Sequence, residues 1–365
     1  MTYLFYFGHP AQYLFLRATM RSLQMSHKVV ILIKTKDILE DLIQADGFEY
    51  YNILPKTRGG SKFAIALSLL KRNAKILPFI RKTKPDVMVS TDASIAQLGK
   101  MLNVKRISIT EDDYDIIKPL ADLSYPVTNH ILCPKVCSVG KWNHKKIGYD
   151  GYMKLGYLHP NVFTPSSDLV NKYGISDKYA IIRLAKLAAF HDFGIKGITY
   201  QFLDQIIQRL EQKNIKVFIS NEQDIDSKYD SYLLKINPSD MHHLLAYAQM
   251  LICDSQSMSV EAAVLGVPSL RYSSFAGKIS VLEELEHQYQ LTFGIPIGEE
   301  QMLLNKLEEI LSLQNLRVVF QERRAKMLAD KIDVTAFLVW LLENFPKSVE
   351  EYQANPYWPL KGNFN

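Results

Sequence analysis

Short apolar runs alternate with longer segments of helical period, and the rhythm occurs twice along the chain. In the first half, residues 2–7, 28–34, 50–54, 86–90 and 106–110 read as strands. Residues 11–25, 37–45, 61–82 and 94–102 read as the helices between them. In the second half the strands are 179–183, 216–220, 250–253 and 269–272, and the helices 199–213, 241–248 and 257–265. Strands separated by helices are joined by crossovers, which give parallel pairs and open sheets. Two such halves, joined near 160–177, predict an α/β protein of two Rossmann-like domains whose parallel sheets face a central cleft. In such sheets a ligand binds beyond the carboxyl ends of the strands, so chemistry is sought just after each strand.

A chain of 365 residues is long for one core and suits two domains. Hydrophobic residues at 47% and charged residues at 22% exclude a disordered or fibrous chain. The formal net charge of +5 suits anionic partners such as a nucleotide or a membrane surface. Helix-turn-helix, RNP and zinc-finger patterns are missing, so no nucleic-acid partner is expected. Three cysteines, Cys133, Cys137 and Cys253, are too few and odd in number for a disulfide framework, and fit a reducing cytoplasm.

The first residues lack the basic stretch and cleavage site of a signal peptide. Nowhere do ~18 apolar residues run together, so no spanning helix is expected. The expected location is the cytoplasm, either free or at the inner face of the membrane. Peripheral contact would come through residues 61–84, where Leu67, Leu69, Leu70, Ile76, Leu77 and Phe79 mix with Lys71, Arg72, Lys75, Arg81 and Lys82. A core helix with a solvated basic edge is the plainer reading of that segment.

Five strand ends carry candidate residues. Gly8-His9-Pro10-Ala11 ends the first strand. There Gly8 lets a ligand approach the backbone, and His9 is either an acid–base group or a hydrogen-bonded turn residue. Asp92 and the run Thr110-Glu111-Asp112-Asp113 end two more strands, and their carboxylates could act as a general base or cap helices. Arg183, Lys186 and His191 follow the first strand of the second half, where cations suit a pyrophosphate or make a solvated basic loop.

The densest signal is Asp254-Ser255-Gln256-Ser257 with Glu261. A strand, small polar residues and a helix follow one another, so the cluster can cap the helix and offer N–H and hydroxyl groups to a phosphate. Glu261 lies one turn further on and could accept from both hydroxyls of a ribose. Ordinary capping with a solvated glutamate is the competing reading. His130, Cys133, Cys137 and His144 do not have the spacing of the commoner zinc sites, and no metal or other cofactor is expected.

Several of these stretches also carry a family likeness. Gly8-His9-Pro10-Ala11, Gly151-Tyr152 through His159-Pro160, Phe190-His191-Asp192, and Asp254-Ser255-Gln256-Ser257-Met258 with Glu261 through Pro268 resemble a bacterial and archaeal family of unknown function. Its members are described as predicted glycosyltransferases. The likeness spans nearly the whole chain and implies the GT-B fold. It assigns 1–160 to the acceptor, 161–335 to the nucleotide-sugar, and 336–365 to a final helix and tail that cross back to the first domain.

More distantly, the chain is similar to the non-hydrolysing UDP-N-acetylglucosamine 2-epimerases. Their Asp-Ser-Gly-Gly stretch and following Glu, which bind UDP, match Asp254, Ser255 and Glu261, with Gln256 and Ser257 replacing the glycines. Their catalytic Asp and Glu fall on Asp92 and Glu111. Their His-Arg pair falls near His191, where Asp192 replaces the Arg. Two histidines usual after Gly-His-Pro-Ala are Gln12 and Leu14 here.

The leading expectation is a glycosyltransferase that takes a nucleoside-diphosphate sugar, UDP-linked, in surface-polysaccharide or glycoconjugate synthesis. Its partners would be the sugar-nucleotide donor and a glycan or lipid-linked acceptor, and a homodimer stays open. The alternatives are an enzyme like the UDP-sugar 2-epimerases and a non-catalytic protein that binds sugar-nucleotides or glycans.

Overall fold

The computed structural model describes residues 1–35, 38–54, 62–175, 177–184, 197–221 and 224–355, with the side chains of 62–68 set aside. The chain divides into two compact units. Unit 1 is Met1–Val162 together with the segment from Lys331 onward, and unit 2 is Phe163–Asp330.

Unit 1 runs β1 (Thr2–Phe7), α1 (Pro10–Leu23), β2 (Lys28–Lys34), α2 (Leu39–Ala45), β3 (Tyr51–Leu54), α3 (Lys62–Thr83) and β4 (Val87–Ser90). It continues with α4 (Ala93–Met101), β5 (Lys105–Ile109), α5 (Lys118–Ser124), β6 (His130–Pro134), β7 (Lys146–Tyr149) and α6 (Leu155–Leu158). The seven strands are parallel in the order β3-β2-β1-β4-β5-β6-β7. A parallel sheet is covered on both faces, so its strands read as continuous apolar runs. Accordingly β1, Thr-Tyr-Leu-Phe-Tyr-Phe, is buried from Tyr3 to Phe7. The strand order reverses direction between β1 and β4, which makes that edge the switch point of the sheet.

Unit 2 runs α7 (Ser167–Lys172), β8 (Tyr179–Leu184), α8 (Tyr200–Gln212), β9 (Lys216–Asn221), α9 (Met241–Tyr247) and β10 (Met250–Cys253). Then come α10 (Gln256–Leu265), β11 (Ser269–Tyr272), α11 (Ser280–His287), β12 (Thr292–Ile295), α12 (Glu300–Leu311) and α13 (Leu316–Asp330). Its five parallel strands are ordered β12-β11-β10-β8-β9, with the switch point between β8 and β10. Two helices show how the sheet is covered. In α8, Phe202, Leu203, Ile206, Ile207 and Leu210 form one apolar stripe. In α10, every residue from Met258 to Leu265 is buried, so this helix lies inside the unit. Its Ser259 hydroxyl meets those of Ser269, at 2.8 Å, and Thr292, at 2.7 Å, pinning α10 to β11 and β12. The helix ends at Gly266 with φ 72°, the left-handed cap that glycine adopts without strain.

The chain then returns to unit 1 with α14 (Val334–Glu343) and α15 (Lys347–Ala354). Asp333 caps α14 by accepting from the Ala336 N–H at 3.0 Å. Val334, Phe337, Leu338, Leu341 and Leu342 are buried, and α14 packs on α1 and α6. The Tyr3 hydroxyl donates to the Leu342 carbonyl, and Tyr352 donates to the Gly148 carbonyl at 2.8 Å. Strands β7 and β12 go beyond the sequence reading. Each has four residues and contains a glycine, which blurs the apolar run that marks a strand. Among the described residues, no helix is long and apolar enough to cross a membrane.

Candidate functional site

Unit 2 concentrates the expected nucleotide residues at its switch point. Arg183 stands near the end of β8, where its Nη1 donates to Ser220 Oγ at 2.8 Å. The Asp254 N–H, just past β10, donates to the Arg183 carbonyl at 3.3 Å, so the two strand ends are tied together. Ser255 is the cap of α10, and its Oγ accepts from the Met258 N–H at 3.4 Å. Residues 254–257 are half-buried, and so can meet a ligand. The start of a helix carries N–H groups without intrahelical partners and a partial positive charge, which together favour an anion. Lys186 and His191 lie outside the described residues.

Glu261 sits one turn inside α10 and is 7% exposed, so it is not the solvated glutamate of the competing reading. Its Oε1 lies 3.4 Å from Nε2 of His242, on α9. The next residue, His243, turns elsewhere: its Nδ1 accepts from the Ser166 N–H at 3.0 Å, and burial lowers its pKa. Gln256 is gripped at both ends of its amide. Its Oε1 accepts from Arg271 Nη1 at 2.6 Å, and its Nε2 donates to Ser273 Oγ at 2.7 Å. Cys253, between these strand ends, has its thiol pushed up to about 12 by burial, so it is no nucleophile.

Unit 1 presents a second group of strand-end residues. At its switch point, a Cβ placed on Gly8 would meet nothing within 4 Å, so the space before it is open. The Gly8 N–H donates to Gln12 Oε1 at 3.1 Å. His9 caps α1, its Nδ1 accepting from the Ala11 N–H at 3.2 Å. A neutral ring in that pose carries its proton on Nε2 and offers a donor there. Asp92 caps α4 through Oδ1, which accepts from the Ser94 N–H at 2.8 Å, and its Oδ2 pairs with Arg72 of α3. Glu111, beyond β5, also has both oxygens engaged. Oε1 accepts from the Met153 N–H at 2.5 Å, and Oε2 pairs with Lys154 at 2.6 Å. The Lys154 side chain is 5% exposed, so this is a buried ion pair.

The structure thus brings Gly8, His9 and Asp92 to one switch point, and Arg183, Asp254, Ser255, Gln256 and Ser257 to the other. Three partners escaped the sequence reading, namely His242 of Glu261, Arg271 of Gln256 and Lys154 of Glu111, while Arg72, the partner of Asp92, was read only as part of a basic helix. Of these, Arg271 had a readable sign, since a cation within the short apolar strand Ser-Leu-Arg-Tyr is out of pattern. Among the described residues, no cluster of three or more His, Cys, Asp or Glu side chains could hold a metal ion.

No protein-family model matches the chain, and no curated protein matches it in sequence. Solved structures do match it in shape. A UDP co-structure of MnaA from S. aureus has 13% identity and a TM-score of 0.69, covering 96% of this chain and 97% of that one. UDP-N-acetylglucosamine 2-epimerase from Rickettsia bellii has 12% identity and a TM-score of 0.65, covering 98% and 99%. The spinosyn rhamnosyltransferase SpnG, complexed with spinosyn aglycone, has 14% identity and a TM-score of 0.60, covering 94% and 100%. The fold is GT-B-like. At such identities the likeness speaks for the fold alone, and the site must carry the chemistry.

Proposed function

We propose that this protein is an enzyme acting on a UDP-linked sugar, and that it transfers the glycosyl group to a glycan or lipid-linked acceptor in surface-polysaccharide or glycoconjugate synthesis. The observation that carries the reading is the switch point of unit 2. There Arg183 and the capped start of α10 offer positive charge and donors, and the buried carboxylate of Glu261 follows one turn later. In this reading the diphosphate lies at Ser255, Ser257 and the N–H groups of α10, with Lys186 and His191 nearby in sequence. Glu261 accepts from the ribose hydroxyls, which are donors that a carboxylate receives well. As the acceptor oxygen bonds to the anomeric carbon, the bond from that carbon to the diphosphate breaks. The helix end and Arg183 then offset the charge of the departing UDP. Unit 1 is assigned the acceptor, with Asp92 or Glu111 taking the hydroxyl proton and His9 donating from Nε2. The fold likeness to MnaA in its UDP co-structure, to a UDP-N-acetylglucosamine 2-epimerase and to a rhamnosyltransferase supports a sugar-nucleotide enzyme.

An epimerase reading shares the donor site and draws on the two strand-end carboxylates, Asp92 and Glu111. Such a reaction needs acid–base groups on both faces of one sugar carbon. The transferase needs one base where the epimerase needs an acid–base pair, and both carboxylates are already engaged by a backbone N–H and a cation, which favours the transferase. A non-catalytic binding protein remains the third outcome of one test. The protein is incubated with a panel of sugar-nucleotides, with and without candidate acceptors. Freed UDP with a glycosylated acceptor is expected. An epimerised sugar-nucleotide would replace this reading with the epimerase, and binding without turnover would leave a carrier.

A further inference from the structure

Arg271 is the most deeply buried cation among the described residues, and nothing in the proposed reaction yet uses it. It is 0% exposed, although arginine is rarely buried unless paired. Cross-strand register places it in a row running Gly294, Arg271, Cys253, Arg183, Ser220, so its side chain shares a face of the sheet with that of Arg183. Its Nη1 reaches Gln256, the first residue of α10. Its Nε and Nη2 have no hydrogen-bond partner among the described residues.

The surroundings are shaped for this group. A Cβ at Gly294 would stand 2.8 Å from Nη2, so glycine at that point leaves the space the guanidinium occupies. Glu286, on α11, accepts from the Gly294 N–H at 2.8 Å, and its carboxylate and that of Glu283 offset the arginine's charge. A guanidinium cannot shed its proton in a protein, so the cation stays in this buried place, hydrogen-bonded to one neutral acceptor. That arrangement ties the guanidinium, through one amide, to the first residue of α10.

We propose that Arg271 is a positioning residue for the diphosphate of the nucleotide. It holds Gln256 so that the start of α10 is set before the ligand arrives. The inference rests on the reading of unit 2 as the donor site. It adds that phosphate recognition there depends on a fully buried residue behind the half-buried ones.

The test compares UDP with uridine, which has the same base and ribose and no phosphate. Titration calorimetry of the full chain measures both ligands in wild type, in Arg271→Met and in Gly294→Ala, with each variant's melting recorded. Gly294→Ala keeps the charge but crowds the guanidinium out of its place, and it carries the test if Arg271→Met does not fold. The expected result is a fall of at least ~10-fold in UDP affinity with uridine affinity unchanged. Equal losses for both ligands would mean a structural role and overturn the proposal, as would unchanged UDP affinity. If the wild type binds neither ligand, the donor-site reading fails first and takes this inference with it.

Discussion

At the scale of single residues, the candidate site of unit 2 shows which chemistry can be read locally and which cannot. Ser255 and Glu261 are legible because a cap and a residue one turn later are fixed by the geometry of one helix. His242, which lies 3.4 Å from Glu261, belongs to another helix, and only the packing of α9 against α10 brings it there. Glu261→Gln keeps the volume and removes the charge. Two charge-assisted bonds to a ribose, each contributing about 1.5–3 kcal/mol, would weaken. The expected outcome in calorimetric titration is UDP binding at least ~10-fold weaker in a folded protein. Unchanged affinity would remove Glu261 from the site. Lys154 supports a second prediction. Lys154→Met leaves Glu111, whose side chain is 13% exposed, beside one backbone donor, and breaking a largely buried pair from one side costs up to about 3–5 kcal/mol. Urea unfolding should register that loss, and adding Glu111→Gln should recover much of it, because the stranded charge is then gone.

Elements were legible where burial writes a long pattern. The strands β1 and β2, with their continuous apolar runs, and the striped helix α8 declare themselves. The short β7 and β12 do not, because each depends on a neighbouring strand for its identity. The helix expected at 37–45 begins at Leu39. The start of β6 carries a pH response. Burial, with Lys105, Lys145 and Arg106 nearby, lowers the His130 pKa from 6.5 to about 4. The unfolded chain therefore takes up a proton near pH 6.5, while the folded one resists until about pH 4. Stability should fall as pH drops through that window, and His130→Asn should flatten this part of the curve in thermal melts. Helix α14 offers a packing test. Phe337→Ala empties a fully buried position and should cost about 3–5 kcal/mol, read by chemical denaturation.

At the scale of the whole molecule, the two-part architecture was legible because the strand–helix rhythm occurs twice. The units themselves differ in kind. Every strand of the second sheet and all of α7–α13 come from the unbroken segment Phe163–Asp330. That segment, expressed alone, should melt cooperatively, as a unit with its own core does. A chain stopped after Asp330 should instead lose the layer that α14 places on α1 and α6, and should aggregate through that exposed apolar face.

Unit 1 is closed by its own last helices. The Tyr3–Leu342 bond joins residues 339 apart in the chain, and Tyr352 meets Gly148 across 204. On a ribosome, which releases the chain from its N-terminus at about 5–20 residues per second, the first sheet emerges long before the helix that completes it. The part of α1 that α14 covers must therefore wait while all of unit 2 is synthesised, and unit 2 can fold first although it is encoded second. For this protein the vulnerable interval is the synthesis of unit 2, when a chaperone that shields α1 would have the most to do.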